Sequence, residues 1–497
     1  MKFIKTGLIY IFLLIGSFTD AQQLVLRGDY PDPSVVRIGD SYWATATTSN
    51  WAPVYPILTS KDLVNWTTVT HAFQDPPAWA DYYFWAPELS YENGKVYLYY
   101  AAHKKDGNLC IAVASADHPG GPYTDHGPLM CQPVGSIDAF AMRDENGKLY
   151  MIWKEDGNSV NKPTPVWAME MNEERTKLIG EKKELFRNDA TWEANLVEGV
   201  SMMRHGEYFY AFYAAAGCCG KGCTYTSGIA RSKSLLGPWE KYSLNPVLKD
   251  DEEWKCPGHG TPVEKDGRYY YMYHAYDKEN NVYTGREGLI MEFRFTPNGW
   301  IEFIKDNEPD VTLEDHRNNF RGRELNGQWQ WSVFNKPQFN LRGGALHLSA
   351  SPAVTGSFLG HKTVSADYTA TAKLHIKRSG ASPGLAVMGD DNNMIMAIYT
   401  EGVIRLVQVR DGKETILATK GMEKAKKVYL QANVRKGKDI GFYFGKDKNR
   451  LQLLNDQPVD GSYLPPWDRA IRIGLISKGE KGKNAVFESF EIINNKE

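Results

Sequence analysis

Apolar and polar residues alternate with a period of two through most of the chain, and glycine-centred turns cut the alternation into short pieces. The most regular piece is a turn glycine followed by a tyrosine-rich strand. It occurs five times: GDSYWATAT at Gly39, NGKVYLYYAA at Gly94, NGKLYMIW at Gly147, HGEYFYAFYAAA at Gly206 and DGRYYYMYHAY at Gly267. Asn-Gly and Asp-Gly pairs supply the positive φ that a two-residue hairpin turn demands. The copies lie about 53 to 61 residues apart, room for a four-stranded sheet each time. A second element recurs inside several units: TSKDLVNW ending at Trp66, ASADHPGGPY ending at Tyr123 and RSKSLLGPW ending at Trp239. Coincidental turns in a sandwich or barrel are the alternative, but five copies that share a second element favour radial packing. Residues 22–305 are therefore predicted to form a five-bladed β-propeller, which leaves only short sheet edges.

The repeat stops near residue 305, in the polar stretch KDNEPDVTLEDHRNNFRGRELNGQW. Beyond it come period-two runs such as GALHLSA, YTATAKLHI, GVIRLVQVR and IGFYFG, separated by Gly, Asp and Lys turns and ending in VFESFEII. Residues 306–497 thus read as a linker and a β-sandwich. No helical periodicity stands out in the mature chain, and the fold class is all-β.

The N-terminus has a different pattern. Lys2 and Lys5 precede an apolar run from Leu8 to Phe18, followed by small residues in SFTDAQQ. This reads as a secretory signal over residues 1–21, cut after Ala21, and places the protein outside the cell or in a periplasm. The run is shorter than the about 20 residues a membrane span needs, and no Cys follows it to carry a lipid, so no membrane anchor is expected.

Composition adds two constraints. The formal net charge of −2, with both signs interspersed, gives no basis for a nucleic-acid partner or an anionic membrane surface. Tyr (28) and Trp (14) are plentiful, which suits both strands and the stacking of sugar rings. Six cysteines, Cys110, Cys131, Cys218, Cys219, Cys223 and Cys256, permit disulfides in an exported protein. Fifteen pairings are possible and the sequence does not choose among them. GCCGKGC lacks the histidine partners and spacing of a zinc site, so disulfides or loop packing are favoured there.

The repeat assigns positions to the unusual polar residues. In a propeller the strand before each hairpin runs innermost, along the channel. Asp32 lies seven residues before Gly39, Trp85 nine before Gly94, Asp138 nine before Gly147, Glu198 eight before Gly206 and His259 eight before Gly267. Taken singly, each has a bland role: a turn cap before proline for Asp32, a strand-end turn for Asp138, core packing for Trp85 and His259. At matched offsets they converge on one axial location. Like charges buried together raise one another's pKa, and unpaired buried polar groups are costly. Glycosidic bond cleavage uses such a cluster, with one carboxylic acid protonating the leaving oxygen and an opposed carboxylate activating water. A third carboxylate keeps the acid protonated near neutral pH.

At these motifs the sequence resembles glycoside hydrolase family 43, five-bladed propeller enzymes that act on xylose- and arabinose-containing polysaccharides. The resemblance implies that Asp32 in YPDPSV is the general base, Asp138 in SIDAF the pKa modulator and Glu198 in VEGVS the general acid. It implies that His259 in GHGTP faces a calcium ion, or water, in the channel, and that Trp85 in FWAPE and Arg286 in TGREGL contact the sugar; a calcium ion there is expected to be held largely through water. Trp51 in TSNWAP is expected to wall the non-reducing subsite. Ala139 and Val200 stand where many members have proline, which bears on the pocket outline. The C-terminal half resembles the concanavalin-like sandwich of β-xylosidases and arabinofuranosidases of this family. The expected activity is inverting, exo-acting release of terminal β-D-xylosyl or α-L-arabinofuranosyl residues. An endo-arabinanase, an exo-galactan-cleaving enzyme and a non-catalytic carbohydrate-binding propeller are the alternatives.

Overall fold

The computed structural model describes residues 22–304, 310–422 and 425–495; the signal segment and the 305/306 boundary expected from sequence lie outside them. Apart from four short 3₁₀ turns, every described element is a strand. No helix among the described residues is long and apolar enough to cross a membrane.

Five antiparallel sheets follow one another along the first part of the chain, each running from an inner to an outer strand. The inner strands of blades I to V are Ser34–Ile38, Ala80–Glu92, Ser136–Arg143, Val197–His205 and Trp254–Lys265. Each pairs with the tyrosine-rich strand that follows it, and the five turn glycines all have positive φ. Apolar faces of neighbouring blades pack together: Tyr210, Phe212, Tyr271 and Phe293 are buried between blades IV and V. Blade V is closed by the start of the chain. Gln23–Leu26 pairs with its third strand, Glu287–Phe295, and Ile301–Ile304 extends the same edge. The ring is thereby joined by backbone hydrogen bonds between its first and last segments, which removes an open edge.

The second part of the chain forms a sandwich of a nine-stranded and an eight-stranded sheet over a core that includes Leu346, Leu430, Phe442, Leu475 and Phe487. The eight-stranded sheet does not end within the sandwich. Its eighth, edge strand is Trp51–Ala52, which comes from the first part of the chain and pairs with Trp329–Ser332. Trp51, expected at the sugar subsite, is 1% exposed and packs on Phe358 and beneath the Arg472 guanidinium, 5.0 Å from its ring centre. The expectation for Trp51 is therefore corrected: the indole is a piece of the domain interface, because burial against the sandwich removes more apolar area from water than a pocket rim would.

Two buried glutamates of the propeller, Glu88 and Glu287, make no ion pair among the described residues. Glu88, on the inner strand of blade II, accepts a hydrogen bond from Thr261 of blade V across the channel (3.2 Å). Glu287 accepts one from the Gly28 amide (2.6 Å). Burial raises each to about 8, more than their hydrogen bonds lower it. The folded state thus holds protons that the unfolded chain releases above its ordinary carboxyl range. Their stabilising contribution is complete below pH 4.5 and is lost as pH rises through about 8. Thermal melts from pH 5.5 to 9 should show a falling midpoint, and Glu88→Gln should flatten the fall by a few degrees. An unchanged slope in the variant would show that Glu88 does not carry this dependence.

Candidate active site

The inner strands are irregular where the sequence places its unusual residues. Pairing in blade III slips between Ile137 and Phe140, around Asp138, and in blade IV between Glu198 and Ser201. Blade V slips twice between Lys255 and Gly260, and blade II slips on both sides of Trp85. Asp32 (φ 51°), Asp138 (φ 58°), Gly199 (φ 62°) and His259 (φ 32°) all have left-handed backbone. Such bulges re-aim side chains, here from the channel wall toward its mouth. Non-glycine residues in this region store about 1–3 kcal/mol of strain each, so the surrounding contacts must hold them there.

Those contacts join the groups into one cluster. Asp32 is 7% exposed; its Oδ2 accepts from Thr47 Oγ1 (2.7 Å), its Oδ1 from Arg286 Nη1 (3.1 Å), and its amide donates to His274 Nδ1 (3.0 Å). His259 Nδ1 stands 3.5 Å from Asp32 Oδ1. The His259 ring lies against Gly199, where an added Cβ would come within 2.8 Å of its Cγ. The Gly199 amide in turn donates to Asp138 Oδ2 (2.7 Å), which ties Asp138 to the residue following Glu198. Glu198 accepts from Lys154 Nζ on Oε2 (2.7 Å) and from the Tyr225 hydroxyl on Oε1 (2.9 Å). Asp32, His259, Asp138 and Glu198 are thus brought together.

The two aspartates are driven in opposite directions. Burial pushes Asp32 upward, but Arg286 foremost, then His259, His274 and Thr47, outweigh it and hold the carboxyl at about 2. Burial also pushes Asp138 upward; with repulsion from Glu198 and Asp32 it overcomes His259 and Lys154, and the carboxyl rises to about 6. Environments that separate like groups in this way mark acid and base roles.

Arg286 is 3% exposed and reaches three partners, since Nη2 also donates to the Asp468 carbonyl (3.0 Å) and Nη1 lies 3.7 Å from Cys218 Sγ. Asp468 belongs to a loop of the sandwich. Its side chain accepts from Ser49 and from the Trp85 indole nitrogen (3.2 Å), and its neighbour Trp467 meets Trp85 edge-to-face at 5.7 Å. Trp85 also stacks on Tyr83 at 4.3 Å. The second domain therefore supplies one aromatic wall of the mouth, and Trp467 is 53% exposed there.

Sequence reasoning missed Lys154, Tyr225, Thr47, His274, Trp467 and Asp468. Lys154 leaves a trace, a charge closing the apolar run LYMIWK in the second strand of blade III. Trp467 and Asp468 leave none, being hundreds of residues away along the chain.

The calcium expectation finds no dedicated donor set. Calcium takes about six to eight oxygen ligands. Among the described residues no group of three or more His, Cys, Asp or Glu side chains is disposed to hold a metal. His259 offers a single ring and its Nδ1 faces Asp32. An ion held largely through water would need few protein donors, and His259 is the residue that would face it. A separate cavity of about 330 Å³ between the domains, lined by Tyr30, His71, His316, His361 and Lys362 among others, includes none of the three carboxyls.

Comparison with known proteins agrees with this geometry. The sequence profile of the glycosyl hydrolases family 43 matches residues 21–301, and that of the beta xylosidase C-terminal concanavalin A-like domain matches residues 317–491. A non-reducing end alpha-L-arabinofuranosidase of Bacteroides ovatus is 27% identical over 445 residues, 79% of each chain. A beta-xylosidase of Bacillus subtilis is 31% identical over 264 residues, 49% of this chain and 45% of that one. Among solved structures, a family 43 protein of Bacillus licheniformis shares the fold with a TM-score of 0.81 at 24% identity, covering 96% of this chain and 100% of that one. With a matching catalytic propeller, a matching sandwich and carboxyls gathered at the propeller mouth, the chain belongs to glycoside hydrolase family 43 and is a glycoside hydrolase.

Proposed function

We propose that the protein releases terminal β-D-xylosyl or α-L-arabinofuranosyl residues with inversion, Asp32 acting as general base, Glu198 as general acid and Asp138 as the group that sets the acid's proton affinity. The carrying observation is the opposed titration of the two aspartates in one buried cluster. A carboxylate held at about 2 is ionised at every working pH and suits the activation of water. Asp138, bound to the amide next to Glu198, is raised to about 6 by its burial and by the negative charges of Glu198 and Asp32. Lys154 and Tyr225 hold the Glu198 carboxyl in one position, which limits the ordering it needs on binding a substrate.

Arg286 and the aromatic wall of Trp85 and Trp467 are the sugar contacts in this reading. The sandwich loop closing one side of the mouth supports an exo-acting pocket in preference to an open cleft. Similar relatives carry the names of both an arabinofuranosidase and a beta-xylosidase, which supports a pentosyl substrate and leaves the two sugars together. The three disulfides, with the leader expected at residues 1–21, support export to the periplasm or the medium.

Substrate profile, product anomer, leaving-group dependence and pH profile test the reading. Aryl β-xyloside, aryl α-arabinofuranoside, linear arabinan and β-galactan assayed side by side should show turnover of an aryl pentoside. Release of only short oligomers from arabinan would oppose the exo assignment, and NMR of the first-formed anomer should show inversion. Glu198→Gln should lower kcat on poor leaving groups on the order of 10²–10⁴-fold, and much less on a dinitrophenyl glycoside, which needs no protonation. Asp32→Asn should lose activity alike on both; rescue of Asp32→Asn, and not of Glu198→Gln, by the dinitrophenyl leaving group would invert the assigned roles. In Asp138→Asn the alkaline limb of kcat/KM should move to lower pH, because the negative charge that helps hold a proton on the pair is gone. A limb that stays in place would remove Asp138 from this role.

A further inference from the structure

The loop Gly217–Thr224 carries three of the six cysteines, and its two disulfides differ in kind. Cys223 is bonded to Cys256, on the inner strand of blade V three residues before His259. That bond closes 33 residues of chain and staples the loop to the site. Cys218 is bonded to Cys219, its immediate neighbour. A bond between neighbours closes essentially no chain, so the loop-entropy stabilisation of an ordinary disulfide does not apply to it.

Its surroundings indicate another use. Cys218 Sγ lies 3.7 Å from Arg286 Nη1, the nitrogen that also donates to Asp32. One guanidinium nitrogen therefore separates the sulfur from the carboxylate assigned as base. Both cysteines are half-buried and so have surface to offer, whereas Cys110 and Cys256 are fully enclosed. The loop is held firmly in this place. The Gly220 amide donates to the buried Tyr276 hydroxyl (3.1 Å), Lys221 Nζ donates to the Ser462 carbonyl (2.8 Å), and a Cβ on Gly220 would come within 3.2 Å of the Trp467 carbonyl oxygen. The same loop thus abuts the segment that carries Trp467 and Asp468.

A pentosyl ring seated against Asp32 and Arg286 presents hydroxyl edges to the charged groups and C–H faces to whatever lies beside them. Trp85 and Trp467 supply an apolar surface on one side of the mouth. On the Arg286 side the Cys218 sulfur, 3.7 Å from Nη1, offers a polarisable, weakly polar atom. We propose that the Cys218–Cys219 disulfide is a substrate-contacting wall of the subsite that binds the terminal sugar, and that it determines specificity between pentosyl substrates. The proposal rests on the glycosidase reading given above.

The test compares wild-type protein with Cys218→Ser/Cys219→Ser on aryl β-xyloside and aryl α-arabinofuranoside. The variant should raise KM about 5- to 20-fold, hold kcat within about threefold, weaken inhibition by free xylose or arabinose in parallel, and change the ratio of kcat/KM between the two substrates. A merely structural role would lower the melting midpoint and reduce kcat on both substrates equally, and that result overturns the proposal. A second readout needs no folded variant. Full-length wild-type protein is treated with a phosphine reductant, its new thiols are alkylated, and they are located by peptide mapping. Saturating pentose should slow reduction of Cys218–Cys219 at least fivefold without changing the rate at Cys223–Cys256; equal rates with and without sugar overturn the assignment. Wild-type protein that turns over neither aryl glycoside overturns the glycosidase reading itself, whereas turnover with unchanged KM, inhibition and substrate ratio in the variant overturns the disulfide's role alone.

Discussion

The guanidinium of Arg286 holds four separated parts of the chain at one point. It rises from blade V, pairs with Asp32 ahead of blade I, touches Cys218 in the loop after blade IV's second strand, and donates to the Asp468 carbonyl in the sandwich. Both members of the Arg286–Asp32 pair are nearly inaccessible to water. Taking two such ions out of water is costly, and their attraction repays it only with good geometry and further hydrogen bonds. Thr47 and the Asp468 carbonyl provide those bonds, and His274 holds the Asp32 amide. Loss of the arginine leaves a buried carboxylate unpaired, so the site and the docking of the two domains depend on the same interaction.

Electrostatics then divides labour among chemically similar groups. Asp32 has Arg286 as its counter-ion, whereas Asp138 has a backbone amide and two neighbouring carboxyls. One is held ionised and the other is pushed toward its protonated form. Lys154 prevents the accumulation of negative charge from becoming excessive: its buried ammonium sits between Glu198 and Asp156, and its proton is held more tightly than usual because those anions outweigh its burial. The cluster is therefore balanced by two buried cations, Arg286 beside Asp32 and Lys154 beside Glu198.

Backbone geometry gives these charges their direction. A regular inner strand would alternate its side chains between the two faces of its blade, toward the neighbouring sheets. The slips in pairing around Asp138, Glu198 and His259 break that alternation at the channel mouth. Gly199 is required by the same geometry, because its left-handed φ coincides with the close approach of the His259 ring. The sandwich contributes rigidity at the rim, where the paired strands Trp51–Ala52 and Trp331–Ser332 and the Asp29–Arg472 ion pair (3.0 Å) anchor the loop that carries Trp467.

The order of strands was legible because period-two alternation and Asn-Gly or Asp-Gly turns are local properties, and five repetitions of them fix both the blade count and the offset of the axial residues. Asp32, Asp138, Glu198 and His259 could be read from that offset, since each blade repeats the same short walk from channel to hairpin. Trp51 misled because a tryptophan after a hairpin strand has the same local pattern whether it lines a sugar pocket or, as here, is buried under a second domain. Lys154 and Tyr225 meet Glu198, and Trp467 and Asp468 meet Trp85, only through contacts between strands or domains far apart in sequence. Cysteine pairing followed the same division: the count was plain from the sequence, but which sulfurs met depended on where folding brought their β-carbons. The sequence by itself determined the architecture and the identity of the carboxyls, because both are written in short-range periodicity. Their charge states, the walls around them and the second domain's share of the site were decided by tertiary structure, because burial and pairing are properties of neighbours that the chain order does not name.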